Sequence, residues 1–283
     1  MDGGPHHLGG LPVPAPHRGN ARGLPAVALV LALALGAVWL AGSPGRPWSP
    51  APVVAAVGGA PGDRPTPGVG AADAPLGRPP AVPELGTWSF LQHQGDGETP
   101  VAYDPCRPVH YVVRPDGAPA EGARLVAEAV AEVSAATGLR FVADGATDEA
   151  WSEDRPATQP GRYGDRWAPV LVTWETPATV PALAGTVAGV AGSEAWSAGG
   201  PYVYVTGAVA VDAGWAASVG GSPEGRAALR GVLVHELAHV VGLGHVDDPG
   251  ELMSPHGSAT GRLGPGDRSG LARLGRGACE PGL

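Results

Sequence analysis

The residues best equipped for chemistry stand together near the C-terminal end, in the stretch HELAHVVGLGH at 235–245. His235 and His239 are four apart, so a helix puts both on one face, where they can grip one metal ion. Glu236 follows the first histidine and faces the same edge of a cleft. Gly242 admits a left-handed turn that no β-carbon obstructs. The chain can therefore leave the helix sharply, and His245 can swing back as a third ligand. Three neutral imidazoles would leave a zinc ion its full double charge and one open position. Such a charge lowers the pKa of a bound water toward ~7. Glu236 can take the proton that is released and pass it to a leaving amine.

This spacing, H-E-x-x-H-x-x-G-x-x-H, is followed by ELMSPH, with Met253 eight residues after His245. Together they resemble the metzincin zinc metallopeptidases. The short spacing and Pro255, two after the methionine, are most similar to the matrixin branch, peptidase family M10. The resemblance covers roughly residues 86–275. It implies an α+β fold of α/β type: a twisted mixed β-sheet with a backing helix, a zinc-binding helix beneath the cleft and a C-terminal helix. It also implies one catalytic Zn2+ on His235, His239 and His245, Glu236 as the catalytic base, and Met253 beneath the ligands. The reaction implied is hydrolysis of internal peptide bonds in extracellular proteins. GPGDRSGLARLG resembles the family's last helix, and Asp267 matches a carboxylate that buttresses the methionine turn.

The sequence departs from the family in several places. The acid that precedes Asp267 in the family is Gly266 here, which removes the partner of a freed N-terminal ammonium. Val246 replaces the characteristic residue after the third histidine. No propeptide cysteine switch is recognisable, and Cys106 in DPCRP is the one candidate outside the C-terminal tail. His256 either reaches the cleft or sits on a surface loop, and Ser254–His256 would form the primed-side wall. An edge strand near Val187–Gly192 would pair with an extended substrate. Structural Ca2+ could use Asp144, Asp148, Asp154 and Asp165, but their spacing fits no fixed calcium loop, and a solvated acidic loop is the simpler reading. A zinc-bound, non-catalytic surface binding module is the alternative function. Glu236 argues against it, because a structural zinc closes its fourth position with a protein ligand. A zinc hydrolase acting on a non-protein amide, such as a wall peptide, is a third reading.

Several elements must position these groups. Pro108–Val113 is β-branched and aromatic and predicts a strand. Apolar spacing predicts a helix over 121–137, with Gly138 as its cap. Further strands are expected at Leu139–Val142, at Val170–Trp174, weakly after Gly185, and strongly from Tyr202. A long loop rich in Asp, Glu and Trp separates the second strand from the third. Ser222-Pro223-Glu224 is a helix start, with a capping hydroxyl, proline at the first position and an acid in the first turn. That helix runs toward Gly242 and carries the motif.

The 283 residues include 46 Gly and 32 Pro, concentrated before residue 85, so the foldable part is a single domain over 85–283. Residues 1–23 read as a cytoplasmic tail. Residues 24–42 are apolar and uncharged, nineteen residues that nearly span a ~30 Å hydrocarbon core. They are either a transmembrane anchor or a signal segment cleaved after the small residues at 41–43. Arg18 and Arg22 predict that everything beyond residue 43 lies outside. Residues 43–84 read as a Pro/Gly-rich disordered linker. The expected location is thus the cell membrane, single-pass with the catalytic domain outside, or else secretion. Cys106 and Cys279 bracket the domain and would form a disulfide in an oxidising compartment, the alternative being two unrelated thiols. A net charge of −9 excludes a basic nucleic-acid surface. The expected partners are protein or peptide substrates and, through the apolar segment, a membrane, for a monomeric chain.

Overall fold

The computed structural model describes residues 64–255, 257–258 and 260–283, and the backbone of residues 56 and 57. The apolar segment 24–42 and His256 lie outside the described residues. Among the described residues no helix is long and apolar enough to cross a membrane.

The strands are β1 (Ala56–Val57), β2 (Ser89–Phe90), β3 (Ala102–Tyr103), β4 (Val109–Val113), β5 (Phe141–Ala146), β6 (Val170–Glu175), β7 (Gly189–Ser197), β8 (Val203–Asp212) and β9 (Leu243–Gly244). The helices are α1 (Gly122–Thr137), α2 (Pro160–Tyr163), α3 (Ala213–Val219), α4 (Pro223–Val241) and α5 (Pro265–Leu274), with a 3-10 turn at Pro181–Leu183. The fold is mixed α/β, as a metzincin-like catalytic domain requires. Its main sheet runs in the order β1-β7-β8-β6-β4-β5, with β3 also on β8. β7 lies antiparallel to β8, whereas β8, β6, β4 and β5 are parallel to one another. A separate two-stranded ribbon joins β2 to β9.

Side-chain alternation along β8 explains the layering. Tyr204, Val209 and Val211 enter the large core shared with α1 and α4, while Val203, Val205 and Ala210 enter smaller clusters on the other face. The change of parity occurs where β7 passes from Glu194↔Thr206 to Ala195↔Tyr204, leaving Val205 without a cross-strand partner. On the helical face Leu125, Val126, Ala129, Val130 and Val133 of α1 are buried at helical spacing. Gly138 ends α1 at φ 73°, donating its N–H to Ser134 O. α4 starts as its cap dictates, with Ser222 Oγ accepting from Gly225 N–H. From Leu229 to Val241 all but one residue of this helix are buried, because it packs against α1, β7, β8 and α5. α3, which has no helical apolar period, is fixed by Asp212, whose carboxylate caps Trp215 N–H.

The stretch 64–84, assigned to the linker from its composition, lies against the domain. Gly68 N–H donates to Leu283 O, Ala72 N–H to Cys106 O and Leu76 N–H to Pro105 O. Proline and glycine do favour extended chain, but extended chain also lies well in a surface groove when its backbone donors find carbonyls. Cys106 and Cys279 are joined in a disulfide beneath this segment, with Cα atoms 5.3 Å apart.

Candidate metal centre

α4 presents His235 and His239 one turn apart, both buried. Gly242 then takes φ 110°, and a β-carbon there would sit 2.9 Å from the Tyr204 ring, so the turn needs glycine for conformation and for space. β9 follows and delivers His245. The Nε2 atoms of His235 and His239 each stand 3.1 Å from His245 Nε2. His235 Nδ1 is 2.9 Å from Leu252 O, and His239 Nδ1 is 2.8 Å from Leu243 O. A carbonyl oxygen only accepts, so both Nδ1 atoms carry the hydrogen and donate it, and both Nε2 atoms turn a lone pair inward.

Such an arrangement suits a cation. Nitrogens ~2.0–2.1 Å from a tetrahedral zinc would lie about 3.3 Å apart, within a few tenths of the separations found here. Burial, and then the neighbouring imidazoles, lower the pKa of His235 to about 3 and that of His239 well below its ordinary value, which keeps both neutral as metal binding needs. Glu236 is buried beside them, and burial alone pushes its carboxyl up to about 8. It lies under β7. A β-carbon on Gly189 would come within 2.8 Å of Glu236 Cγ, so glycine there brings the strand's backbone onto the carboxylate.

The turn at 251–253 meets the site at Leu252, whose carbonyl receives the His235 Nδ1 hydrogen. Met253 is buried in the main core. Two buried carboxylates lock this turn to α5 reciprocally. Asp267 accepts from Leu252 N–H at 2.5 Å, Met253 N–H at 3.3 Å and Gly264 N–H at 2.8 Å. Glu251 accepts from Gly266 N–H at 2.8 Å and Asp267 N–H at 2.9 Å, the first turn of the helix. Burial raises the Asp267 carboxyl to about 6, with the Glu251 charge adding to the rise and the N–H donors opposing it. Glu251 stands in the quoted ELMSPH motif, yet its partner α5 starts fourteen residues on, and no local pattern pairs them. Gly266 has a steric reason, because a β-carbon there would lie 2.0 Å from Thr87 O.

Other expected site residues are placed elsewhere. Cys106 is held in the disulfide, away from the three histidines. Asp144 pairs with Arg166 and is 2.9 Å from His110 Nδ1, Asp148 pairs with Arg162, and Asp165 accepts from Thr66 N–H. Among the described residues the only groups of three potential ligands are His235, His239, His245 and the set Asp104, Cys106, Cys279, whose sulfurs are already bonded to each other. In the Asp/Glu/Trp-rich loop no local pattern signals the buried pair Arg155–Glu149, at 2.7 Å. Burial would raise Glu149, but hydrogen bonds from Arg155, Gln159 and Tyr163 hold it below the ordinary glutamate value. The outer edge of β7 meets β1 only at Trp196 and Ser197, so among the described residues Gly189–Ala195 has no strand beside it on that edge.

The family model for the matrixins, Peptidase_M10, matches residues 116–274. No curated protein matches the chain. Among solved structures, one match is the crystal structure of metalloproteinase-II from Bacteroides fragilis, 13% identical, covering 57% of this chain and 52% of that one with a TM-score of 0.29. The chain thus spans about half the length of that protein, and a score so low carries no argument.

Proposed function

The chain belongs to the matrixin family of zinc metallopeptidases, and from that premise we propose that it is an endopeptidase acting on proteins outside the cytosol. The observation that carries the reading is the convergence of three imidazole Nε2 atoms at 3.1 Å beside one buried carboxylate. His235, His239 and His245 would hold the zinc. Bound there, the ion supplies a charge that acidifies water and polarises a scissile carbonyl.

The rest falls to the chain's own groups. Glu236, buried beside the ligands, takes the proton of the attacking water and returns it to the departing amine. The outer edge of β7, whose Gly189 comes close to Glu236, would hold an extended peptide by strand addition. Such pairing lays the scissile bond across the site and keeps bulk water off one side. The disulfide supports work in an oxidising compartment. The apolar segment 24–42 would bring the domain there, as an anchor or as a signal.

The test uses the full chain and its Glu236→Gln variant. Zinc is quantified in both, and cleavage of a denatured protein is followed with and without a chelator. One zinc in each, with chelator-sensitive cleavage reduced by about 10²–10⁴-fold in the variant, is the expected result. A folded wild-type chain without zinc would overturn the reading. Equal cleavage by both chains would remove Glu236 from the reaction.

A further inference from the structure

The segment 83–91 follows the stretch that lies against the domain, and it runs through a narrow slot bordered by α5 on one side and the ligand-bearing turn on the other. Glycines make that slot. A β-carbon on Gly86 would lie 2.3 Å from Gly266 N, one on Gly244 2.5 Å from Ser89 Oγ, and one on Gly270 2.5 Å from Leu243 Cδ1 and 3.0 Å from Trp88 Cβ. Within the slot every turn of the segment is tied down. Ser269 Oγ donates toward Pro83 O and Leu85 O, and Arg273 pairs with Glu84 and covers the Trp88 ring.

What this segment touches next is the metal centre itself. Ser89 and Phe90 pair antiparallel with Gly244 and Leu243, and Leu91 N–H donates to Gly242 O. Ser89 Oγ–H donates to His245 O at 2.7 Å. On the far side of His245, Val246 N–H donates to Met253 O at 3.1 Å. The backbone of His245 is therefore held from both sides, and one of the two holds is a single hydroxyl. Leu243, paired with Phe90, is the residue whose carbonyl fixes the tautomer of His239. One short ribbon thus controls two of the three imidazoles.

We propose that residues 83–91 are a positioning strap for the metal centre, and that Ser89 is the positioning residue for His245 through its hydroxyl. The inference rests on the metallopeptidase reading and extends it to a residue far from the motif. Ser89 touches neither the metal position nor any substrate. It sets where the third imidazole stands. Groups that orient metal ligands in this way typically govern 10–100-fold in metal affinity. Because the strap continues directly into the segment at 64–84, the same hold couples the upstream chain to the ligands.

The experiment compares full-length wild type, Ser89→Ala, Ser89→Thr and, as a control, Arg124→Ala, which breaks exposed ion pairs to Glu121 and Glu128 on α1 and touches no part of the strap. Zinc affinity is measured by competition with a chromophoric chelator, ligand geometry by the visible spectrum of the Co2+ form, and folding by melting of the metal-free chain. Ser89→Ala should bind zinc about tenfold more weakly and shift the cobalt bands. Its metal-free melting temperature should stay within ~2 °C of wild type, a shift worth at most about 1 kcal/mol. Ser89→Thr, which keeps the hydroxyl, should restore the affinity, and Arg124→Ala should leave it unchanged. Zinc binding by Ser89→Ala within about twofold of wild type overturns the proposal. So does a fall in metal-free melting that accounts for the weaker binding and is not rescued by threonine. A wild-type chain that binds no zinc fails earlier, at the metallopeptidase reading, and that result is distinct from a zinc-binding wild type with an indifferent Ser89.

Discussion

Two regions of the molecule are held by different means. At the metal centre, segments far apart in sequence are joined by side chains bonding to backbone: Ser89 to His245, Asp267 to Leu252 and Met253, Glu251 to Gly266 and Asp267. Around the disulfide, the segments near residues 68–76, 104–107 and 279–283 meet through backbone pairs, the Arg107 and Asp104 side chains and, in addition, one covalent bond, Cys106–Cys279. Directional bonds fix where a group points, and a covalent link fixes only that two segments stay together. Imidazoles that must converge to within a few tenths of an ångström need the first kind. Chain ends that only need to stay closed over a core are served by the second. If this contrast is right, perturbing the first region should disturb metal binding and stability together, and perturbing the second should cost stability alone.

The largest effect is expected at Asp267. Asp267→Ala leaves the Leu252, Met253 and Gly264 N–H groups buried without an acceptor, while the backbone donors to Glu251 remain. Losses of this type run to about 4 kcal/mol. In a domain of this size that is a fall of about 10 °C in melting temperature by calorimetry. The carbonyl of Leu252 holds the His235 tautomer, so zinc affinity should fall too. A variant that melts low but binds zinc normally would break the comparison, because the turn would then be scaffolding with no hold on the ligands.

Next in size is the disulfide. Replacing both cysteines by serine releases a crosslink between residues 173 apart and should cost about 2–4 kcal/mol. Zinc affinity should stay within about twofold of wild type, since none of the bonds described at the ligand turn involves either cysteine. Urea unfolding and chelator competition on the same sample would decide it. A large loss of zinc affinity would mean that the two regions are mechanically coupled.

Much of this was legible from local pattern. The two histidines four apart, Gly242 and Met253 lie within nineteen residues, and helical periodicity with known turn chemistry places them without reference to the rest of the chain. The same holds for α1 with its Gly138 cap and for the Ser222 start of α4. What stayed hidden depends on contacts between distant segments. Ser89 is an ordinary serine in sequence and acquires its meaning from a residue 156 positions away. Glu251 and Asp267 each have a bland local reading, and only the packing of α5 on the turn makes them a pair. The stretch 64–84 makes a related point: composition reports how stiff a chain is and says nothing about whether carbonyls await its N–H groups. Gly266 is the clearest case. As a departure from a family pattern it looked like a loss, whereas in three dimensions it is the space through which Thr87 passes.

The third effect, smaller, is a pH dependence that belongs to the metal centre. A carboxyl raised to about 6 in the folded chain, against an unfolded value near ~3.9, takes up a proton on folding between those two pH values. Its contribution to stability is fully present below about pH 4 and is lost as pH rises through about 6. Compared with Asp267→Asn, which does not titrate, the wild type should therefore lose relative stability between pH 4 and pH 7, on the order of 2 kcal/mol. Metal-free samples are needed, and the buried histidines, which titrate in both chains, cancel in the difference. A difference that is flat with pH would mean that the three N–H donors keep Asp267 ionised throughout.

The smallest effect sharpens the comparison within a single element. Ser222 caps α4 at the end remote from the ligands, with its Oγ accepting from Gly225 N–H at 2.9 Å. Ser222→Ala should cost about 1 kcal/mol. His235 lies thirteen residues further along the helix, ~20 Å at the usual rise. If the ligands are positioned by the strap and the turn at 251–253, fraying the first turn of α4 cannot move them, and zinc affinity should not change. If affinity does fall, the helix must be acting as a lever from its start, and the hold assigned to Ser89 and Asp267 would be only part of what orients the imidazoles. Measuring melting and zinc competition on this one variant therefore asks whether the ligands are set locally, by the bonds that touch them, or by the element that carries them.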